Sequence, residues 1–419
     1  MNLSAVIIGY VWPEPNSSAA GQNMLSIIKS MCSAGHKVTF LTAATDSEHK
    51  TDLESLGVDS REITLNCSSF DSLIEDLAPD IVVFDRYMTE EQFSWRVKAC
   101  CPNALRVLNT EDLHSLRQAR HNAVKMHGDA KLADLNTELA QREIAAILRS
   151  DITLVISKHE MQLLTEHYQV PRSQLFYYPL PTDKSVPESP SFTDRAHFVH
   201  IGNFRHAPNW DAVLQLKQFI WPAIRQALPD AQLHIYGAYP PKKATQLHNE
   251  KQGFIVKGWA KSVDDVMQNA RVLLAPLRFG AGVKGKFLDA MRFATPSITT
   301  WIGAEGIADD NSWPGAVCGA DIDQAKTIDE FAKHAVALYN NEEIWAAASQ
   351  KAVECVALFS QQKDALPLEP YLTNVIGSIA QHRQGLFLQS LLWHQTLTAS
   401  KYMSQWIEAK NKKPKPIAS

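Results

Sequence analysis

Short apolar runs alternate with segments of helical periodicity along this chain, and this alternation constrains the fold more than any other feature. Between the first two runs, apolar residues recur at helical spacing from Met24 to Met31. Strands that alternate with helices of about 10–15 residues favour βαβ units and a parallel sheet. The strands expected in the first half are Ala5 to Ile8, Val38 to Leu41, Ile81 to Phe84, Leu105 to Leu108 and Leu154 to Ile156.

The alternation stops at a segment rich in Pro, Ser and charge, Pro181 to Arg195, and then begins again. Such a composition is typical of a linker. The chain has 419 residues, whereas one hydrophobic core rarely grows beyond roughly 250–300 residues. We therefore predict domains at 1–185 and 196–370, followed by a helical extension at 371–419. The strands expected in the second domain are Val199 to Gly202, Leu233 to Gly237, Phe254 to Gly258, Val272 to Leu277 and Ser297 to Thr300.

Composition excludes several classes of protein. Charged residues make up 21% of the chain and the formal net charge is -4, which is unlike a disordered chain or a basic nucleic-acid binder, so no nucleic-acid partner is expected. The six cysteines form no CxxC pair, and free thiols fit a reducing compartment. No apolar stretch has the length of a membrane span, and the N-terminus lacks the features of a secretory signal. These features predict a cytoplasmic protein.

The most informative stretch joins a predicted buried strand to a helix through a glycine-rich turn, Gly280-Ala-Gly-Val. A helix beginning near Val283–Lys284 would point unpaired N–H groups and about half a positive charge at the turn. Glycine removes the Cβ that would keep a phosphate away. Lys284 and Lys286 in the first turn would be unfavourable without an anion. The stretch therefore favours a phosphate site, although a glycine turn with two solvated lysines fits the local pattern equally well.

This turn and several motifs around it resemble the glycosyltransferase group 1 family, also called family 4. The resemblance is strongest in the second half and looser in the first. It implies the GT-B fold, an α/β architecture of two Rossmann-like doubly wound domains facing each other across a cleft, here with C-terminal helices. The supporting segments are His200 to Asn209, Trp221-Pro222, Leu233 to Gly237, Lys257 to Trp259, Pro276 to Met291, Gly303 to Gly306, Gly21, Ala34 to Val38 and Ser157 to Glu160.

The resemblance implies roles on the donor side of the cleft. Asp289 would hold the nucleotide ribose, and Gly258 with Trp259 would hold the base through backbone groups. Arg205 and Lys284 would bind the diphosphate beside the turn formed by Gly280, Gly282 and Val283. Glu305 would contact the sugar or cap a turn. The family's other acid, eight positions before Asp289, is replaced by Ala281, which leaves the contacts to the donor sugar open.

In the first domain, the resemblance points to His114 near the sugar, with Glu111 and Asp112 as alternatives. Without the family, a His in this segment is more often a helix-start residue, here capped by Thr110 or Asp112. Gly21 would let the first loop approach the ligand. The basic run from Gln118 to Lys131 fits a solvated helix face as well as an acceptor site.

The function implied is a retaining, hexosyltransferase-like transfer from a nucleotide diphosphate sugar, in cell-surface polysaccharide or glycoconjugate biosynthesis. The acceptor, a glycan, a lipid-linked molecule or another, stays open. No cofactor beyond this donor substrate and no metal are predicted, since the DxD triplet Asp321-Ile-Asp323 lies late in the chain and is attributed to chance. Two alternatives stay open: an epimerase-like enzyme of the same fold, and a catalytically weak nucleotide-binding subunit of an assembly complex.

The segment from Leu386 to Ala409 carries apolar residues at mostly helical spacing. We predict a helix packed on a domain, and a helix lying on the membrane surface is the alternative. The basic tail from Lys410 onward would be solvated, or would bind anionic lipid. The second case would place the protein peripherally at the inner face of the membrane.

Overall fold

Two parallel sheets form the centre of the protein. The computed structural model describes residues 2–182, 188–322, 324–364, 367–395 and 397–411. Part of the predicted linker, residues 183–187, and the basic tail beyond residue 411 lie outside this range. Each sheet is covered by helices, as the alternating sequence pattern predicts.

The first sheet has seven strands in the order β3-β2-β1-β4-β5-β6-β7, and every pair is parallel. All five residues of β4 are buried, as expected for a strand covered on both faces. The strands are β1 (Ser4–Gly9), β2 (Lys37–Thr42), β3 (Asp59–Glu62), β4 (Ile81–Asp85), β5 (Leu105–Asn109), β6 (Ile152–Val155) and β7 (Leu175–Tyr177).

The second sheet has six parallel strands in the order β10-β9-β8-β11-β12-β13. This is the strand order of the first sheet without its last strand, so the two domains are built alike. The strands are β8 (Ala196–Ile201), β9 (Leu233–Tyr236), β10 (Phe254–Gly258), β11 (Ala270–Ala275), β12 (Ser297–Thr300) and β13 (Gly315–Cys318).

Helices connect the strands of the first domain. In α1, Ser18 caps the N-terminus by accepting the Gly21 N–H, and the predicted apolar face from Met24 to Met31 is buried. The helices of this domain are α1 (Ala19–Ser33), α2 (Ser69–Leu77), α3 (Arg86–Cys100), α4 (His114–His127), α5 (Glu138–Arg149) and α6 (Lys158–Glu166).

Helices of the second domain follow the same plan. A π-helical turn, Leu216–Ile220, separates α7 from α8. The helices are α7 (Ala207–Gln215), α8 (Trp221–Ala227), α9 (Lys242–Thr245), α10 (Val263–Asn269), α11 (Gly285–Arg292), α12 (Trp301–Ala304), α13 (Ala325–Asn340) and α14 (Glu342–Asp364).

The C-terminal extension returns to the first domain and packs on it. Leu368, Leu372 and Val375 of α15 join the core of the first domain, and Arg383 of α16 binds Asp151. The extension comprises α15 (Leu368–Gly377), α16 (Ile379–Gln384), α17 (Phe387–Gln395) and α18 (Leu397–Asn411).

Most of the apolar residues predicted to dock this extension on a domain do not do so. Leu388, Leu391, Met403 and Trp406 are exposed, because the docked face uses other residues. Trp393 donates its indole N–H to the Arg149 carbonyl oxygen at 3.0 Å. Among the residues that the structure describes, no helix has the length and apolar character needed to cross a membrane.

Candidate functional site

A cleft of about 590 Å³ lies between the two domains. The strand order of each sheet reverses between β1 and β4 and between β8 and β11, and ligands of open α/β sheets bind beyond the carboxyl ends of strands at such points. The lining comes from these loops: Trp12 and Gly21 follow β1, Arg205 follows β8, and Lys284 follows β11.

Most of the residues predicted for the site line this cleft. They are Gly21, His114, Arg205, Trp259, Gly280, Val283, Lys284 and Asp289. Gly258, Gly282 and Glu305 are not among the lining residues. The structure therefore brings residues from both domains together, while their roles in binding stay predictions.

The glycine turn leads into α11, which begins at Gly285 with Lys284 as its N-cap residue, slightly later than predicted. The Lys284 Nζ donates to the Gly282 carbonyl oxygen at 2.8 Å, and burial lowers the pKa of Lys284 to about 8. The Lys286 Nζ donates to the Asn209 Oδ1 at 2.8 Å, and burial lowers the pKa of Lys286 to about 7. Both ammonium groups thus have neutral hydrogen-bond partners beside the helix N-terminus, which suits an anionic ligand.

On the same helix, burial raises the pKa of Asp289 to about 7. Asp289 lines the cleft one helical turn beyond Lys286. Ala281, in the turn itself, is 8% exposed and packs with the core of the first domain. The turn and α11 therefore carry Lys284, Lys286 and the acid Asp289. They carry no acid at position 281.

Aromatic side chains close another part of the cleft. The Arg205 guanidinium lies 3.7 Å from the Tyr239 ring centroid, and the Tyr239 hydroxyl donates to the Glu14 Oε1 at 2.9 Å. The Trp259 ring stacks on His49 of the first domain, with centroids 4.5 Å apart. The loops after β9 and β10 therefore contact the first domain directly.

Two of the predicted glycines have conformational reasons that the structure makes plain. Gly258 has φ +77°, which favours glycine, and its carbonyl oxygen accepts the Gly237 N–H at 2.8 Å. A Cβ at Gly21 would lie 2.4 Å from the backbone of Glu14. The close approach at Gly21 is therefore to its own loop.

His114 is the first residue of α4, but the helix is not capped as predicted from Thr110 or Asp112. The N-cap residue is Leu113, which makes no side-chain cap. Glu143 of α5 instead accepts the His114 N–H at 3.0 Å and the Ser115 N–H at 2.8 Å. A capping group from another helix leaves no local sequence signal. Burial lowers the pKa of His114 to about 4.

Strained backbone marks the first-domain wall of the cleft. Arg86 has φ 70° and Glu111 has φ 63°, and such left-handed non-glycine residues cost of order 1–3 kcal/mol. Burial raises the pKa of Asp85, and it raises that of Glu111 to about 8. Asp85 and Arg86 were missed in the sequence, although they directly follow a predicted strand at the edge where ligands bind.

Two cross-domain contacts hold the glycine turn against the first domain. Arg120 of α4 donates two hydrogen bonds to Glu305, at 2.8 and 2.9 Å, and one to the Gly280 carbonyl oxygen. Glu160 Oε1 accepts the Gly282 N–H at 2.8 Å. The basic run from Gln118 to Lys131 is therefore not only a solvated face. Glu305 binds Arg120, which explains its place outside the lining of the cleft.

Asp321 of the DxD triplet does not line the cleft. Asp321 accepts a hydrogen bond from Thr327 at 2.8 Å, and Asp323 lies outside the described residues. Across the described ranges, no group of three or more His, Cys, Asp or Glu side chains is arranged to hold a metal ion.

Comparisons with known proteins agree with this architecture. Residues 195–341 match the family described as Glycosyl transferases group 1, which confirms the resemblance on the second domain. No curated protein sequence matches the chain.

Solved structures match almost the whole chain at low identity. Sucrose-phosphate synthase from Thermosynechococcus elongatus has a TM-score of 0.64 at 13% identity, with 92% of this chain and 100% of that chain covered. S. aureus TarM, in a complex that includes UDP, has a TM-score of 0.63 at 11% identity, with 92% of this chain and 99% of that chain covered. Anabaena HepE, in complex with UDP and glucose, has a TM-score of 0.61 at 11% identity, with 91% of this chain and 100% of that chain covered. The predicted GT-B fold is confirmed.

Proposed function

We propose, from a GT-B fold whose second domain matches the group 1 glycosyl transferases, that this protein transfers a sugar from a nucleotide diphosphate sugar to an acceptor. The observation that carries the proposal is the pair Lys284 and Lys286, which lie with neutral partners at the N-terminus of α11 in the interdomain cleft. Structural neighbours crystallised with UDP support a nucleotide donor.

Stabilisation of the leaving group supplies the chemistry of the site. Departure of the nucleoside diphosphate builds negative charge on its phosphate oxygens. Arg205, Lys284 and the start of α11 would stabilise that charge, and such preorganised electrostatics is usually the largest contribution to catalysis. The Asp289 carboxyl would bind ribose hydroxyls, and backbone groups at Gly258 and Trp259 would hold the base.

The transfer proposed is retaining and hexosyltransferase-like, as the resemblance implies. No protein nucleophile is needed in this route, because the departing phosphate can take the proton of the acceptor hydroxyl as the new bond forms. His114 would lie on the first-domain side, near the sugar. The proposed setting is the assembly of a cell-surface polysaccharide or glycoconjugate, in the cytoplasm.

A thermal-shift screen with UDP, GDP, ADP and CMP tests the donor proposal. We expect one nucleoside diphosphate to raise the Tm, and Lys284→Ala to abolish that rise. Lys98→Ala is the control, since Lys98 lies on α3 and does not line the cleft. Stabilisation by none of the four nucleotides would contradict the proposal.

Donor turnover separates transfer from the two alternative functions. Slow hydrolysis of one nucleotide sugar without acceptor supports transfer. Conversion of the sugar to an epimer would instead indicate an epimerase-like enzyme of this fold, and nucleotide binding without any turnover would indicate a catalytically weak subunit.

The surface of the C-terminal helices supports a peripheral membrane contact. Phe387 and Leu391 of α17 and Trp406 of α18 are 75%, 43% and 58% exposed. Lys401 and Lys410 are also exposed on α18. Apolar side chains flanked by basic ones bind anionic bilayers. We expect the full chain to co-sediment with vesicles containing phosphatidylglycerol, and a Phe387→Ser/Trp406→Ser variant to lose this. Equal sedimentation of both proteins would contradict the membrane contact.

A further inference from the structure

Asp112 lies where the glycine turn meets the first domain. A Cβ built on Gly282 would lie 2.8 Å from the Asp112 Cβ, so the two residues touch across the domain interface. The next residue, Leu113, donates its N–H to Glu160 Oε1 at 3.0 Å, and the same oxygen accepts the Gly282 N–H. One carboxyl oxygen of Glu160 therefore fixes the position of the Asp112 backbone relative to the turn.

Asp112 also differs in charge from other acids that line the cleft. Burial alone would raise its pKa, but the adjacent Arg117 guanidinium outweighs burial and holds the pKa of Asp112 well below its usual range. Burial raises the pKa of Glu111 to about 8 and that of Asp289 to about 7. At neutral pH, Asp112 is fully ionised, whereas Glu111 and Asp289 bind protons wholly or in part.

The Asp112 carboxylate has capacity for further hydrogen bonds. Arg117 donates to its Oδ2, and the Nε2 of His114 lies 3.5 Å from its Oδ1. An ionised carboxylate offers about four acceptor positions, and Asp112 lines the cleft. Ala281, in the facing turn, brings only a methyl group. A hydroxyl-bearing ligand beside the turn thus meets one fixed, charged acceptor on the first domain.

We propose that Asp112 binds the hydroxyl groups of the donor sugar and thereby selects neutral sugars over uronic acids. The inference rests on the proposed function, because a diphosphate bound by Lys284 and the start of α11 would place its sugar next to Gly282 and Asp112. Hydroxyl groups form strong, charge-assisted hydrogen bonds to a carboxylate. A uronic acid would bring a second negative charge to the same place, which disfavours it.

Isothermal titration calorimetry with UDP, UDP-glucose and UDP-glucuronate tests the inference, with GDP and GDP-mannose as a second set. We expect the wild type to bind the neutral sugar nucleotide roughly tenfold or more tighter than the nucleotide alone, and tighter than the uronate, as a charged hydrogen bond allows. Asp112→Asn should lose most of this preference while its affinity for the nucleoside diphosphate stays within about twofold of the wild type.

The chain offers a closely matched control in Asp211→Asn. Asp211 pairs with Arg278, and their side chains are 14% and 21% exposed. The side chains of Asp112 and Arg117 are 14% and 22% exposed. Asp211 does not line the cleft. This variant removes a similar ion pair, and its sugar preference should equal that of the wild type.

The outcomes distinguish the inference from the function on which it rests. A wild type that binds none of these nucleotides overturns the proposed function. A wild type that binds UDP but prefers UDP-glucuronate overturns the inference alone, and this result needs no folded variant. An Asp112→Asn protein that keeps the full preference for the neutral sugar, or that loses UDP and UDP-glucose affinity equally, also overturns the role of Asp112.

Discussion

At the level of single residues, the role proposed for the two lysines of the glycine turn predicts that nucleotide binding depends on pH. In the free protein, burial lowers the pKa of Lys284 to about 8 and that of Lys286 to about 7. A bound diphosphate would raise both pKa values, because it favours the charged amines. The contribution of these lysines to diphosphate affinity is therefore complete below about pH 7. Above it, the affinity falls by up to about tenfold per pH unit for each lysine.

Calorimetry at pH 8.5 in buffers of different ionisation enthalpy measures this directly. We expect the wild type to take up more than one proton for each UDP bound. The Lys286→Met variant should take up less than one proton for each UDP bound. Asp289, whose pKa burial raises to about 7, is already ionised at pH 8.5 and does not obscure the result. Lys98→Met, outside the cleft, should match the wild type. Absence of proton uptake would show that these amines do not meet the phosphates.

At the scale of elements, the C-terminal helices are fastened to the first domain by a buried carboxylate. The Asp151 side chain is 0% exposed and binds both Arg106 and Arg383. Removal of one partner of a buried ion pair leaves a charge poorly compensated. We expect Arg383→Ala to lower the free energy of unfolding by about 2–3 kcal/mol. The loss should be smaller than if Asp151 lost both arginines, because Arg106 still pairs with it.

Urea denaturation followed by tryptophan fluorescence measures the change. Arg61→Ala is the control, since Arg61 and its partner Asp59 are 48% and 46% exposed. An exposed pair contributes about 0–1 kcal/mol, so this variant should unfold near the wild-type midpoint. Equal effects of Arg383→Ala and Arg61→Ala would contradict the fastening role of Asp151.

The sequence was sufficient for the buried strands but not for the edges of the sheets. Continuous apolar runs predicted β1 and β4, whose residues are almost all buried. The missed strands include β3, Asp59–Glu62, which is mostly exposed, and the three-residue β7. A polar edge strand contains no apolar run that would predict it. Pairing with the neighbouring strand stabilises it, and burial of its own side chains does not.

The same limit applies to the site. Lys284 and Gly280 were predicted because strand, turn and helix follow one another in the chain. Arg120 and Glu160 were missed because their partners, Glu305 and Gly282, lie more than 100 residues away. Local patterns reveal the glycine turn, whereas contacts that form only when two domains meet leave no short-range signal.

On the largest scale, the chain passes between the two domains twice. It leaves the first domain after β7 and returns to it at α15, which packs on α1. Arg120 and Glu160 of the first domain hold the glycine turn of the second. In the proposed transferase, contacts that keep the two domains together would exclude water from the donor.

Loss of the Arg120 contacts should open that cleft. Arg120→Ala removes two hydrogen bonds to Glu305 and one to Gly280, and small-angle scattering should show a larger radius of gyration. With a donor bound, the open cleft admits water, so the ratio of hydrolysis to transfer should rise several-fold. Arg142→Ala, which removes a pair with Glu91 within the first domain, should change neither quantity.

Glu160 makes the second contact, and its protonation predicts which substitution it tolerates. Burial raises the pKa of Glu160 to about 8, so at pH 7 the side chain is mostly a neutral acid, which Gln resembles in shape and charge. Glu160→Gln should therefore keep the compact form at pH 7, because its amide oxygen can accept the Gly282 and Leu113 N–H groups. Glu160→Ala leaves both donors unpaired and should expand the protein as Arg120→Ala does. Scattering curves of Glu160→Ala and Glu160→Gln that coincide would show that this carboxyl does not hold the domains together.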